Sequence, residues 1–175
     1  MYRELKTERL LLRPMRLTDL EDVHEYASDR DNARYMFFLP NDTVKDTEEF
    51  LSGAVKEWEK VSPSFFEFAV ELNGKVIGAM SAYLDESKEC AELGWILNKK
   101  YQRFGYAVEA ATALKDFLIG DIRVKKITAH CDARNAPSYR LMEKIGLTRE
   151  SENGERVYPK TGEKARELTY SLIIE

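Results

Sequence analysis

Asn98-Lys-Lys-Tyr-Gln-Arg-Phe-Gly-Tyr-Ala-Val-Glu-Ala-Ala111 is the stretch on which the reading of this chain turns. An alternating run, Ala91-Glu-Leu-Gly-Trp-Ile-Leu97, leads into it, and a strongly helical run from Ala107 to Ile119 leads out. Between them Gln102, Arg103, Gly105 and Ala107 form a short loop. A strand that feeds a helix through such a loop leaves backbone N–H groups unpaired at the helix N-terminus. Those donors, with the positive end of the helix dipole, bind anions such as a pyrophosphate. Gly105 lets the backbone approach the anion closely, Ala107 keeps the next turn uncrowded, and Lys99, Lys100 and Arg103 add positive charge. The plain alternative is an ordinary strand–helix connection with a solvated basic patch. No Gly-Lys-Ser/Thr follows, so the loop is not a P-loop, and it is not Gly-x-Gly-x-x-Gly either.

Upstream, Arg9-Leu-Leu-Leu-Arg-Pro-Met15 reads as a strand ending near Pro14. Thr18 or Asp19 then caps a helix to about Asp29, with Leu20, Val23, His24 and Ala27 at helical spacing. His24 reads as a partly buried helical histidine rather than a catalytic one. Tyr35-Met-Phe-Phe-Leu-Pro40 is a dense apolar–aromatic patch between helical segments. Asp46-Thr-Glu-Glu49 resembles a capping box and opens a second helix to about Lys60, with Phe50, Leu51, Ala54 and Trp58 as its stripe. The period then changes to two. Phe66 to Leu72, Asn73-Gly74, and Lys75 to Tyr83 predict a hairpin with a type I′ turn, and Cys90 to Leu97 the next strand.

Downstream, Val124 to Cys131 predicts a strand. Asn135-Ala-Pro-Ser-Tyr-Arg-Leu-Met-Glu-Lys-Ile-Gly-Leu147 predicts a helix with Pro137 in its first turn and Gly146 at its end. Arg149 to Tyr158 and Ala165 to Ile174 are strands joined by a turn around Pro159-Lys-Thr-Gly162. The layout is α+β (mixed α/β) on one largely antiparallel sheet, and no linker or repeat divides residues 1–175, so one domain is expected.

The 175 residues suffice for a sizeable core, and the net charge of −4 argues mildly against nucleic acid as a partner. No apolar run approaches the roughly 20 residues needed to span a bilayer. Glu4, Glu8 and Arg9 interrupt any signal-peptide pattern, which makes the cytoplasm the default. Cys90 and Cys131 are too few for a disulfide scaffold and show no metal spacing, so no metal is expected.

Gln102-Arg-Phe-Gly-Tyr-Ala107 resembles the acyl-CoA loop of the GNAT N-acetyltransferases, Gln/Arg-x-x-Gly-x-Gly/Ala. Its continuation Gly105-Tyr-Ala-Val-Glu-Ala110 is similar to the RimJ/RimL-type branch, as is the opening Thr7-Glu-Arg-Leu-Leu-Leu-Arg-Pro14. Asn135 to Leu147 resembles a second GNAT pattern, Asn-x-x-Ser/Ala-x-x-Leu-x-x-Lys-x-Gly-Phe/Leu. The resemblance implies the GNAT acyl-CoA N-acyltransferase fold, its central sheet splayed between strands 4 and 5 and flanked by about four helices. It implies acetyl-CoA as donor and a primary amine as acceptor, either a protein N-terminus or a small molecule. Homodimers are common in the family, and the sequence marks no interface.

By that resemblance, pantetheine lies between the strand at Leu93 to Leu97 and the strand at Ile127 to Cys131, bonded to the former, with Asn135 and Ser138 beside it. The pyrophosphate rests on the amides of Gln102, Arg103, Phe104, Gly105, Tyr106 and Ala107. Phe104 departs from the branch, which usually has a small basic or polar residue there. The N–H near Ile96 or Leu97 is the candidate oxyanion donor. For the base the candidate is Glu92, although a solvent-facing carboxylate on an alternating strand explains it equally well. Glu109 is a weaker candidate on a helix. Many relatives carry a Tyr where this chain has Met142, so Ser138 or Tyr139 stands in as the acid that protonates the leaving thiolate. Tyr35 to Pro40 would form one wall of the acceptor cleft. The missing tyrosine also suits a non-catalytic acyl-CoA-binding sensor. A nucleotide-binding protein using the same loop is the third reading.

Overall fold

Asn73 and Gly74 take φ of 51° and 82°, the left-handed pair that a type I′ turn requires, and they join Leu72 to Lys75 as the hairpin signal predicts. That hairpin lies within an eight-stranded sheet. A computed structural model describes residues 3–174. In chain order the elements are β1 (Leu5–Lys6), β2 (Leu11–Pro14), α1 (Leu20–Ala27), α2 (Val44–Trp58), β3 (Phe65–Leu72), β4 (Lys75–Leu84) and β5 (Cys90–Leu97). They continue with α3 (Tyr106–Phe117), β6 (Lys126–Asp132), α4 (Ala136–Lys144), β7 (Thr148–Val157) and β8 (Lys164–Ile173). The strand order is β1-β2-β3-β4-β5-β6-β8-β7. Every neighbouring pair is antiparallel except β5 and β6, which α3 connects as a parallel crossover. The sheet gains a short strand at Leu5–Lys6 that the sequence pattern did not mark, so the expected strands 4 and 5 are β5 and β6.

Alternation along the strands sorts residues onto two faces. Leu93, Leu97, Ile127, Ala129, Cys131, Leu168 and Tyr170 join Leu114 of α3 and Met142 of α4 in a buried cluster on the back. Met15, Ala69 and Ala79 join Val23 and Tyr26 of α1 and Leu51 of α2 on the front, where Leu39 and Ile96 pack against them. Burying each large apolar side chain stabilises by roughly 1.5–3 kcal/mol, which holds the layers on the sheet.

The helix starts follow local chemistry, with two adjustments. Thr43 and Asp46 form the capping box of α2, not Asp46 and Glu49. Thr43 Oγ1 accepts from the Asp46 amide at 3.2 Å, and Asp46 Oδ2 accepts from the Thr43 amide at 2.8 Å. Phe50, expected in the apolar stripe, faces outward at 39 % exposure, while Leu51, Ala54 and Trp58 are buried. Asp19 does not cap α1 in the simple sense. Its carboxylate accepts from both Arg13 Nη atoms at 2.9 and 2.8 Å, fixing the helix start to β2. His24 is half-buried, its Nδ1 2.8 Å from Thr47 Oγ1, and ties α1 to α2. At the end of α4, the Gly146 and Leu147 amides donate back to the Glu143 and Met142 carbonyls at 3.1 and 3.0 Å, a Schellman closure.

Candidate active site

Parallel pairing of β5 with β6 runs through Cys90–Lys126, Ala91–Ile127, Glu92–Thr128 and Leu93–Ala129, and stops there. Both strands continue, β5 to Leu97 held by β4 and β6 to Asp132 held by β8. From Gly94 and His130 onward, then, their inner edges part and present peptide N–H and C=O groups to an opening in the sheet. An extended amide-bearing chain can bond to such an edge as a strand would.

The loop beyond β5 lies at the end of this opening. Asn98 is buried; its Oδ1 accepts from the Lys100 amide at 3.1 Å and its Nδ2 donates to Glu25 at 3.1 Å. Gln102 Nε2 donates to the Leu97 carbonyl at 3.0 Å, pinning the loop to the strand. Arg103 (φ 70°) and Gly105 (φ 85°) are both left-handed and turn the chain into α3. The Glu109 amide makes the first helical bond, to the Gly105 carbonyl at 3.1 Å. The amides of Tyr106, Ala107 and Val108 precede it and have no carbonyl a turn earlier in the helix. They form an anion site at a helix N-terminus with the dipole behind it.

The charge around the loop differs from expectation. Lys99 pairs with Asp29 at 2.5 Å and Lys100 with Glu25 at 2.7 Å, so they anchor the loop to α1 and the segment just after it instead of facing an anion. Bonds from Lys100, then Lys75 and Asn98, hold the Glu25 carboxyl down to about 2. Arg103 is exposed and has no ion-pair partner among the described residues. Arg9, not among the cations expected at the loop, is the second one beside it. It is 42 % exposed, its Nη1 donates to the Phe104 carbonyl at 2.9 Å, and its guanidinium lies 4.6 Å over the Tyr106 ring. Glu109 holds it at 2.7 Å and also accepts from the Arg9 amide and the Thr7 hydroxyl. Burial would raise the Glu109 carboxyl, but those bonds outweigh it and keep it below the ordinary range. Glu109 is therefore a clasp between the N-terminal segment and α3. Thr7 and Arg9 of the opening octapeptide and the Glu of Gly-Tyr-Ala-x-Glu-Ala are two ends of one interaction.

Asn135 stands at the N-terminus of α4, its carbonyl accepting from the Ser138 and Tyr139 amides at 3.0 and 3.3 Å. Ser138 is 8 % exposed and its hydroxyl bonds the Cys131 thiol, which burial pushes up to about 11. Ser138 is thus brought to the open end of β6. Tyr139 is half-buried with its ring 5.9 Å from the Arg149 guanidinium, on the side toward β7. Met142 is fully buried in the back core. Glu92 is exposed on the front face, opposite Tyr83 and Thr128 in the stretch where β5 is still paired on both sides.

The front of the opening is walled by two segments far apart in sequence. Phe37 lies 3.9 Å from the Arg156 guanidinium and 6.0 Å from the Tyr158 ring, and Lys160 reaches the Pro40 carbonyl and Asp42. The Tyr35 to Pro40 patch and the β7–β8 hairpin so form one surface, from which Phe38 projects at 78 % exposure. Asp132 anchors it from below, fully buried and bonded by Arg134 and by the Tyr158 hydroxyl at 2.7 Å. No group of three or more His, Cys, Asp or Glu side chains that could hold a metal ion occurs among the described residues.

A family model for the acetyltransferase (GNAT) domain matches residues 9–148. The chain belongs to the GNAT family of N-acetyltransferases. A Bacillus subtilis (strain 168) protein described as the uncharacterized N-acetyltransferase YnaD is 32 % identical over 171 residues, spanning 98 % of this chain and 97 % of its own. The crystal structure of a GNAT-family acetyltransferase from Bacillus anthracis superposes with a TM-score of 0.85 at 32 % identity, covering 98 % of each chain. RimL, an acetyltransferase of the ribosomal L7/L12 α-amine solved with coenzyme A, superposes with a TM-score of 0.87 over 98 % of each chain. At 15 % identity that last likeness shows a shared GNAT fold and nothing finer.

Proposed function

We propose that this GNAT enzyme transfers the acetyl group of acetyl-CoA directly to a primary amine, with pantetheine in the opening between β5 and β6. The observation that carries this reading is the end of β5–β6 pairing at Leu93 and Ala129, beside the left-handed Arg103–Gly105 turn into α3. The Leu97 amide faces the opening and serves as the oxyanion donor, whereas Ile96, two residues before the Asn98 amide that bonds Ile77 of β4, turns its own peptide groups to β4 and is not the donor. The amides from Arg103 to Ala107, beside the Phe104 and Tyr106 rings packed 5.9 Å apart, take the pyrophosphate, assisted by Arg103 and Arg9; the Gln102 amide, expected among them, donates instead to the Lys99 carbonyl at 3.4 Å. Asn135 and Ser138 stand at the opposite edge. Ser138 is the better placed of the two acid candidates, since the Tyr139 ring is engaged by Arg149. Glu92, the expected base, lies on the acceptor face but short of the opening.

The acceptor reading is a protein N-terminal α-amine or a small-molecule amine, and the wall built from Phe37, Phe38 and the β7–β8 hairpin is where it would be selected. An α-amine, with a pKa near 8, needs less deprotonation than a lysine near 10.4. RimJ/RimL-type N-terminal acetylation is favoured by the opening octapeptide and by Glu109, which that branch pattern contains. We place the reaction in the cytoplasm and read residues 1–175 as one domain, a reading supported by strands from both ends sharing one sheet.

The test is titration calorimetry with acetyl-CoA, CoA and ATP, followed by a thiol-release screen of N-terminal peptides, polyamines and aminoglycosides. Selective binding of both CoA species and turnover of at least one amine are expected. Gly105→Glu should abolish that binding, because a carboxylate would enter the phosphate site. Equal affinity for ATP, or wild-type affinity in Gly105→Glu, would remove the loop from the site.

A further inference from the structure

On the front face a row of Cα partners crosses the sheet at the level where it opens. Glu67 of β3 pairs with Ser81 of β4, Ser81 with Gly94 of β5, and, across the opening, His130 of β6 with Thr169 of β8. Gly94 and His130 are the first residues past the last β5–β6 pair, Leu93–Ala129. The neighbours of His130 on its own strand, Ala129 and Cys131, are buried in the back core, so alternation puts the imidazole on the front, facing the acceptor side. Gly94 contributes no side chain; a Cβ there would meet Ser81 Oγ at 3.0 Å. The space beside His130 at the mouth is therefore kept clear.

The ring of His130 is held from one side only. Nδ1 lies 3.1 Å from Thr169 Oγ1 and 3.7 Å from Glu167 Oε1, while Nε2 has no hydrogen bond among the described residues. Glu167 is in turn held at 2.9 Å by Arg156, which is buried against Phe37. With Nδ1–H donating to this pair, Nε2 carries the free lone pair. The side chain is 28 % exposed, wet enough to pass a proton on. Glu92, by contrast, sits two residues back along a strand still paired on both sides, roughly 6–7 Å from the opening, with no side-chain hydrogen bond or ion pair among the described residues to orient it.

We propose that His130 accepts the proton of the acceptor ammonium, with Glu167 and Thr169 as positioning residues; this rests on the acetyl-transfer reading above. The R–NH3+ group gives one proton to Nε2. The free amine then forms a C–N bond to the thioester carbonyl, the C–S bond breaks, and the second nitrogen proton leaves with the thiolate as CoA–SH. The imidazolium returns its proton to water. The charged groups on the same face are Glu167 and, behind it, Arg156 from β8 and β7, Asp132 on β6 itself, and Glu92 and Glu67 from β5 and β3.

The experiment measures acetyl-CoA affinity and pH–rate profiles for the full chain and for His130→Gln, Glu167→Gln and Glu92→Gln, with an amine from the screen. For His130→Gln we expect kcat to fall on the order of 100-fold near neutral pH, the deficit shrinking as alkaline pH supplies free amine, with acetyl-CoA affinity within about 2-fold of wild type. Glu167→Gln should lower kcat by about 10-fold and shift the profile, and Glu92→Gln should leave it in place. His130→Ala should regain part of its rate with added imidazole, which a merely structural histidine would not do. Wild-type kcat and profile in His130→Gln, or the large loss in Glu92→Gln instead, overturns the proposal while leaving acetyl transfer standing. Absence of CoA binding or turnover in the wild type overturns the transfer reading itself.

Discussion

Glu67 is a carboxyl group 3 % exposed, without an ion-pair partner among the described residues. Desolvation pushes it up to about 7, outweighing the bonds it receives from the Tyr83 hydroxyl at 2.7 Å and from Ser81. The folded value lies above the ordinary 4.5, so the sign is unfavourable: burial costs nothing where the group is protonated in both states, below about pH 4.5, and costs progressively more as pH rises to about 7. Glu67→Gln keeps the shape and removes the charge. It should stabilise the protein at pH 8 by about 3 kcal/mol at most and by nothing at pH 4.5, as read from urea unfolding at the two values. A gain that is the same at both pH values would mean that packing, not charge, is responsible. Glu67 lies in the same front-face row as His130, on the other side of the opening.

Several elements are positioned by single buried or half-buried contacts. Arg13 is the plainest case, 4 % exposed, joining β2 to the start of α1 through Asp19 and to β3 through Glu71 at 2.6 Å. The carboxylate of Asp19, followed by that of Glu71, raises the guanidinium further above its ordinary value despite burial. Asp19→Ala leaves a buried cation half-compensated and frees the start of α1. Thermal and urea unfolding should show a loss of roughly 3–5 kcal/mol. A loss under 1 kcal/mol would mean that water already reaches the pair. The Glu109–Arg9–Thr7 clasp does the same for α3, and the Lys99–Asp29 and Lys100–Glu25 pairs for the loop before it. The anion loop is therefore braced from two sides, by the N-terminal segment and by α1.

At the scale of the molecule, the surface shared by Phe37 and the β7–β8 hairpin and the loop before α3 depend on carboxylates that must stay ionised. Glu25 and Asp132 are each held down to about 2, and so is Glu57, where Lys60 and Ser64 outweigh the raising effect of burial. For Asp132 too, bonds from Arg134 and Tyr158 overcome desolvation. Folded values below the ordinary 3.8 to 4.5 contribute stability that is fully present above about pH 4.5 and is lost as pH falls toward 2. The melting temperature should drop steeply across that window, and Asp132→Asn should flatten the drop while lowering stability at pH 7. An unchanged slope in Asp132→Asn would show that Asp132 is not among the groups responsible. What the sequence determined by itself was whatever adjacent residues decide. Asn73-Gly74 sets its own turn, Cys90 to Leu97 its own strand, Pro137 and Gly146 the limits of α4, and Gln102 to Ala107 a loop whose last amides are free because a helix begins there. Thr43 as the cap of α2 was also local, but Asp46 resembled a cap as well as the third residue it is. Tertiary structure alone decided the rest. Lys99 and Lys100 look like phosphate ligands until α1 and the segment just after it bring Glu25 and Asp29 beside them, and Arg9 looks idle until α3 brings Glu109. His130 sits in an unremarkable strand pattern, and nothing in sequence says that its neighbour β5 pairs as far as Leu93 and no farther. Ion pairs between distant segments and the point at which two strands part depend on long-range register, which no window of sequence contains.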